Sequence, residues 1–95
     1  MYNFIGLIYI RQGKFQHADI ALTTAVHGEP LFADWWERLA YAKEMASMAQ
    51  RSPSADDLKD AIKAYERALS LNAQLIDARR GLERTQSALA ALPVR

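Results

Sequence analysis

Cysteine is absent from the 95-residue chain, and so are long hydrophobic runs. The lack of cysteine excludes disulfide bonds, thiol catalysis and thiolate zinc sites, but it leaves the cellular compartment undecided. No segment approaches the roughly 18 apolar residues that span a bilayer. The apolar opening, Met1 to Ile10, has no basic residue ahead of it and no cleavage site of small residues after it, so it predicts a core helix rather than a signal peptide. We therefore expect a cytoplasmic protein without direct membrane insertion.

The sequence also lacks a large excess of positive or negative charge, and it contains few groups that could act in catalysis. The 12 basic and 11 acidic residues give a net charge of +1, without the clustered basic excess of a nucleic-acid surface. The two histidines, His17 and His27, lie on one predicted helix about 15 Å apart along its axis, too far to share a metal ion. Asp56, Asp57 and Asp60 are explained by the positive end of a helix dipole. The sequence indicates no enzyme, cofactor, metal or nucleic-acid partner.

The sequence does contain an internal repeat. The segment from Leu58 to Ala73 carries apolar or small residues at the spacing of an amphipathic helix. Five of its positions have counterparts 43 residues earlier, at Phe15, Ala18, Leu22, Ala25 and Pro30. A second register, at an offset of 34, relates Tyr2, Ile5 and Gly6 to Trp36, Leu39 and Ala40. The unit is therefore 34 residues long, with 9 extra residues in the second copy, and this period predicts stacked helix pairs.

The first copy shows a recognisable pattern of aromatic, small and proline residues, at Tyr2, Ile5, Gly6, Tyr9, Gly13, Phe15, Ala18, Leu22, Ala25 and Pro30. This pattern resembles the tetratricopeptide repeat. The resemblance covers nearly the whole chain and implies an all-α, right-handed superhelical array of five helices in antiparallel hairpins. Repeat 1 spans about 1–32, repeat 2 about 33–74 with the 9-residue insertion near 50–57, and a capping helix about 75–92. We expect the insertion to lie at the surface and to tolerate deletion.

The first hairpin contains the clearest turn signal. Gly13 is expected to end the first helix, since glycine accepts the left-handed conformation that follows many helix C-termini. The second helix is expected over about 15–26. Gly6 is predicted to face Ala18 and Ala25, because small side chains let two helix axes approach closely.

The third helix is expected to be longer than the first. It is predicted from Leu31 or Phe32 to Arg51, where a Ser-Pro-Ser sequence stops it. Trp36 is predicted to be buried, while Trp35 packs on the preceding helix. Either serine of that sequence, Ser52 or Ser54, can cap the fourth helix. In the last helix Glu83 stands where a small residue belongs, so we expect no further helix to pack closely there.

The resemblance implies that this chain binds a partner peptide or helix in a concave groove, as an adaptor or assembly factor. The positions that match the groove are Asn3, Leu7, Ile10, Asp34, Glu37, Tyr41, Glu44, Asp77, Arg80 and Arg84. Glu37 and Glu44 are expected to form an acidic wall opposite the basic wall of Arg80 and Arg84. Tyr41 stands between the walls as the aromatic anchor.

One branch of the family clamps the C-terminal carboxylates of heat-shock chaperones with lysine, asparagine and arginine side chains. The matching positions here are Asn3, Leu7, Arg38, Asp77 and Gly81. These residues cannot form that clamp. We therefore expect a protein partner whose identity the sequence does not reveal.

The alternative is a self-associating scaffold. The first helix is apolar on almost every side, and one neighbouring hairpin covers only about half of a helix. Phe4 and Ile8 are expected to form the contact between copies. A homo-oligomer would bury this face, and so would a preceding repeat if the chain is part of a longer array.

Overall fold

The chain folds into five α-helices within residues 2–50 and 53–92, the part that the computed structural model describes. The helices are α1 (Tyr2–Arg11), α2 (Phe15–Gly28), α3 (Ala33–Met48), α4 (Ala55–Leu71) and α5 (Ile76–Ala90). Each helix packs against the next, and α3 also contacts α1 and α5. The described part contains no β-strand. The prediction of an all-α helical repeat fold is confirmed.

The first hairpin turns at Gly13, the glycine that has a φ of +76°. A β-carbon on Gly6 would lie 2.5 Å from the Cγ atom of Leu22, so Gly6 faces α2 at Leu22. Leu22 lies between the predicted neighbours Ala18 and Ala25 on the same face of α2, and its longer side chain reaches Gly6 first. The close approach of the two helices is therefore made by a glycine against a leucine.

Helix α3 is shorter at both ends than the sequence predicts. Phe32 has extended backbone angles, so the helix begins at Ala33. It ends at Met48 because the chain must still form a loop to the start of α4. Ser54 is the N-cap there, and its Oγ atom accepts a hydrogen bond of 3.4 Å from the amide of Asp57. Within the described residues around the insertion, 49–50 and 55–57 are exposed.

Two hydrophobic clusters lie on opposite sides of α3. The first contains Ala18, Leu22, Val26, Leu39 and Ala42, and the second contains Ala40, Ala64, Tyr65, Ala68 and Ala78. Trp35 packs on the first cluster, and Trp36 contacts both. Trp36 is half-buried rather than buried, because its indole Nε1 donates to the Pro30 carbonyl (2.7 Å) at the edge of the fold. The third helix thus connects the two halves of the structure.

None of the helices in the described ranges combines the length and the apolar character needed to cross a bilayer.

Candidate functional site

Helices α3 and α5 form an open cleft, which we call the α3–α5 cleft. Its lining consists of Glu37, Arg38, Tyr41, Asp77, Arg80 and Arg84. The volume is about 280 Å³, slightly below the range of roughly 300–1,000 Å³ that is common for small-molecule sites. A cleft of this size accommodates one or two side chains that protrude from a larger partner.

The structure brings together five of the residues that the sequence predicts for the groove, namely Glu37, Tyr41, Asp77, Arg80 and Arg84. Leu7 lies half-buried on α1 and does not line this cleft. The side chain of Asn3 lies outside the described part of the structure. Glu44 lies on the same helix as Glu37 and Tyr41, but its side chain is buried in the core.

Tyr41 is held between two neighbours. Its ring packs edge-on against Phe15, with 6.1 Å between the ring centroids. The guanidinium carbon of Arg84 lies 6.0 Å from the Tyr41 ring centroid, a cation–π distance. These contacts restrict the tyrosine before any partner arrives, so binding to it costs little side-chain entropy.

Glu44 is a buried link between three helices. It is only 1% exposed, so it cannot form the acidic wall that the sequence predicts. Its Oε1 atom accepts hydrogen bonds from the Tyr65 hydroxyl (2.7 Å) and from a terminal nitrogen of Arg84 (2.8 Å). Its Oε2 atom accepts from Nε of Arg84 at 2.5 Å. The physical reason for the correction is that α4 and α5 both supply donors, so the carboxylate turns inward and is satisfied there.

Arg84 therefore has a structural role as well as a surface position. The two parallel bonds to Glu44 make a bidentate pair, and they raise the pKa of the Arg84 guanidinium above its ordinary value. The arginine side chain is nevertheless 50% exposed at the edge of the cleft. Burial, aided by the hydrogen bond to Glu44, raises the pKa of the Tyr65 hydroxyl well above its usual range. Tyr65 thus remains a proton donor to Glu44.

Glu37 lies at the rim of the cleft and is largely covered. Burial raises the pKa of its carboxyl above 4.5, and the negative charges of Asp77 and Asp34 act in the same direction. Nε of Arg38, 3.6 Å from a Glu37 oxygen, opposes this shift. The Glu37 carboxylate is consequently a poor ligand for a cation, because most of its surface is not available to a partner.

Arg80 differs from the other two cations of the cleft, because Arg38 and Arg84 are each paired with a glutamate. Neither Arg80 nor Asp77, which is one helical turn away on α5, makes an ion pair within residues 2–50 and 53–92. A guanidinium with all its donors available can form a bidentate contact with a carboxylate. Arg80 and Tyr41 are thus the two groups that the cleft presents to a partner.

Arg38, which the sequence places at a position matching the chaperone clamp, also lines the cleft. Tyr65 is the residue of this region that is not assigned to the groove from the sequence. The sequence contains one indication that Tyr65 has a polar partner. Tyr65 occupies the position that the core residue Leu22 holds in the first copy, and a buried hydroxyl needs a hydrogen-bond partner. That partner, Glu44, is 21 residues away and becomes apparent only in the folded chain.

No group of His, Cys, Asp or Glu side chains in the described ranges has an arrangement that could hold a metal ion. The site therefore offers contact surface and charge, and the described side chains do not form a metal centre.

The tetratricopeptide repeat model matches this chain at residues 1–26 and 54–75, about half of its length. The matched segments cover α1 with most of α2, and α4 with the turn that follows it. Helix α3, with its additional residues, lies between the two matches. Searches of curated proteins and of solved structures gave no match.

Proposed function

Since the chain belongs to the tetratricopeptide repeat family, whose members generally mediate contacts between proteins, we propose that it binds a partner peptide or helix in the α3–α5 cleft. In this role it would act as an adaptor or assembly factor. The observation that supports the cleft most strongly is the pair of Tyr41, restricted by its neighbours, and Arg80, which is exposed and has no ion-pair partner in the described residues.

The chemistry of the cleft suggests what a partner presents. Arg80 can bind a carboxylate while Tyr41 packs against the apolar part of the same segment. Aromatic and arginine side chains are the residue types that most often dominate binding energy. The expected ligand is therefore an acidic side chain or chain terminus next to an apolar residue.

Peptides selected from a phage-displayed random library on the wild-type protein provide the probe. We expect Tyr41→Ala and Arg80→Ala each to weaken the affinity of a selected peptide by about 1–3 kcal/mol in isothermal titration calorimetry. Arg79→Ala is the matched control. Arg79 precedes Arg80 on α5 and is also exposed, but it does not line the cleft.

Helical circular dichroism should be the same in all three variants, because each substituted side chain lies at or near the surface. Equal affinities for the wild type, Tyr41→Ala and Arg80→Ala would place the binding surface elsewhere. Arg84→Ala is a poor probe here, since it would also leave the buried Glu44 without its main partner.

A specific observation also favours the second candidate, self-association through α1. Ile8 corresponds to Ala42 of α3 at an offset of 34, and Ala42 corresponds to Thr85 of α5 at an offset of 43. Ala42 and Thr85 are fully buried, but Ile8 is 53% exposed. Thus the helix face that a preceding helix pair covers in α3 and α5 is uncovered in α1.

The size of this face is suitable for a contact between two copies. Together with Phe4, Ile5, Leu31 and Phe32, Ile8 exposes on the order of 500 Å² of apolar surface. A standard interface buries about 800 Å² per partner, of which about 65% is apolar in homodimers. We infer that a second copy of the chain covers this face.

Light scattering after size-exclusion chromatography tests this inference. We expect a dimer at about 100 μM that dissociates on dilution and is lost in Ile8→Asp. Ile20→Asp is the control, because Ile20 is exposed on α2 and lies outside this face. A monomer at that concentration, for the wild type as well as for Ile8→Asp, would contradict self-association.

A further inference from the structure

A second cleft, which shares no residue with the first, lies where the first turns of α2 and α4 approach the C-terminal half of α3. We call it the α2–α3–α4 cleft. Its polar lining includes Gln16, Asp19, Lys43, Ser47, Asp57 and Asp60. None of these residues takes part in the proposed peptide binding.

The charges in this cleft are unbalanced. Lys43 is the one cation among the described residues of its lining, and Nζ of Lys43 lies 3.1 Å from an Asp19 oxygen. Asp57 accepts a hydrogen bond of 3.4 Å from the Gln50 side chain. Asp60 has no ion-pair partner in the described part of the chain. Among the described residues, three carboxylates therefore face one ammonium group, which leaves two negative charges that no described cation of the cleft neutralises.

Ser47 provides an independent observation. It lines the same cleft, is only 1% exposed, and its hydroxyl has no hydrogen-bond partner among the described residues. Buried hydroxyl groups are normally satisfied, because an unpaired one costs the free energy of its lost hydration. A serine oxygen can accept a hydrogen bond from an N–H donor. The charge therefore favours a cation, and the hydroxyl can accept a hydrogen bond from it.

The dimensions restrict the kind of donor. The cleft has a volume of about 200 Å³, which suits a single side-chain head group rather than a length of peptide. Its carboxylates do not group closely enough to form a metal site. The acceptors that remain lie on two helices, Ser47 on α3 and Asp57 and Asp60 on α4, and this arrangement fits a compact ammonium with three rotatable donors better than the planar fork of a guanidinium.

We propose that the α2–α3–α4 cleft binds an alkylammonium group, supplied by a lysine side chain of a partner or by a polyamine. The ammonium lies between Asp57 and Asp60 and donates to the Ser47 hydroxyl. Lys43 remains paired with Asp19 at the edge of the cleft.

The site depends on the part of α3 that distinguishes the second copy from the first. Helix α3 has 16 residues and α1 has 10. The first hairpin turns at the position that matches Ser47, where Gly13 has no side chain. The cleft therefore depends on the additional length of α3 and not on the repeat pattern alone.

A titration followed by ¹H–¹⁵N correlation NMR at low salt tests the proposal. The probes are N-acetyl-lysine methylamide, N-acetyl-arginine methylamide and spermine. We expect the lysine derivative or spermine to shift the amides of Ser47, Gln50 and Asp60 most. The two affinities are compared after division by the number of ammonium groups in each probe. If the lysine derivative binds more tightly, the source is a protein partner, and if spermine binds more tightly, it is a polyamine.

Two variants test the named contacts. Asp60→Asn should weaken binding about fivefold to tenfold, as the loss of one charged hydrogen bond does at a partly exposed site. Glu66→Gln is the matched control, because it removes the same charge from an exposed position on α4 outside the cleft. Its affinity should stay within about twofold of the wild type. Ser47→Ala should weaken binding about threefold or more, with unchanged helical circular dichroism.

Three results would overturn the proposal. The first is the absence of shifts at the cleft with the lysine derivative and with spermine. The second is an equal loss of affinity in Asp60→Asn and Glu66→Gln, which would indicate general charge attraction. The third is tighter binding of the arginine derivative than of the lysine derivative, which would contradict the choice of an ammonium group.

Discussion

At the scale of single residues, Glu44 illustrates how a charged group can be part of a core. Its two oxygens accept from a fully buried tyrosine of α4 and from an arginine of α5. When one partner of a buried ion pair is removed, the protein loses more stability than the intact pair contributes, because the remaining charge stays buried without compensation. The trio of Glu44, Tyr65 and Arg84 therefore determines how α3, α4 and α5 pack together.

Tyr65→Phe tests this role. We expect it to lower the free energy of unfolding by about 1–3 kcal/mol, because Glu44 loses a donor while it stays buried. Urea denaturation measures the change. Tyr9→Phe is the control, since the Tyr9 hydroxyl makes no hydrogen bond in the described part of the chain and Tyr9 is only half-buried. Equal stability of Tyr65→Phe and Tyr9→Phe would show that the hydrogen bond contributes little.

Gly81→Ala tests the close contact between α4 and α5. A β-carbon at this position would overlap the Tyr65 ring, which cannot move easily because it is buried and hydrogen-bonded. We expect a loss of about 1–3 kcal/mol in urea denaturation. A β-carbon on Gly28 would contact nothing, so Gly28→Ala should be neutral or slightly stabilising. A neutral Gly81→Ala would mean that the two helices separate freely.

The raised pKa of Glu37 predicts how the stability of the protein depends on pH. A raised pKa means that the protonated form of Glu37 is favoured in the folded state. The contribution of Glu37 to stability is thus greatest below its unfolded value of 4.5 and is lost as the pH rises through its higher folded pKa. Glu37→Gln should therefore stabilise the protein at pH 7 relative to the wild type, with a gain that disappears below about pH 4. The exposed Glu83→Gln should show no such pH-dependent gain in thermal unfolding.

At the scale of helices and loops, the sequence predicts the number and order of the helices and the turn at Gly13. Local chemistry is sufficient there, because glycine permits the positive φ that the turn at Gly13 needs and proline restricts the backbone next to it. The ends of α3 are not predictable in the same way. No residue from Met48 to Gln50 breaks a helix, and α3 ends at Met48 because the loop must reach the cap at Ser54. That requirement depends on where α4 packs.

The cap of α4 gives a prediction at this scale. Ser54→Ala removes the side-chain acceptor for the Asp57 amide, so we expect a loss of about 0.5–2 kcal/mol in thermal or urea unfolding. Ser87→Ala is the control, because Ser87 is exposed within α5 and its side chain makes no hydrogen bond in the described residues. A loss of the same size in the control would show that capping does not account for the effect.

At the scale of the whole molecule, the sequence predicts the repeat fold and places Tyr41 and Arg80 on neighbouring helices of a groove. The sequence does not show that Glu44 is buried in the core while Glu37 lies at the rim of the cleft. Glu44 is buried because two other helices supply hydrogen-bond donors to its carboxylate. The sequence also does not reveal the α2–α3–α4 cleft. Gln16, Ser47 and Asp60 are ordinary helix residues in the sequence, and only the packing of three helices brings them to one place.

The most direct test of the proposed function is a map of where a selected peptide binds. ¹H–¹⁵N correlation spectra of the whole chain, recorded with a peptide from the phage-displayed library, report every affected amide. Binding in the α3–α5 cleft requires the largest shifts at Glu37, Tyr41, Asp77 and Arg80. Shifts confined to α1, or to α2 and α4, with those four amides unchanged, would contradict it.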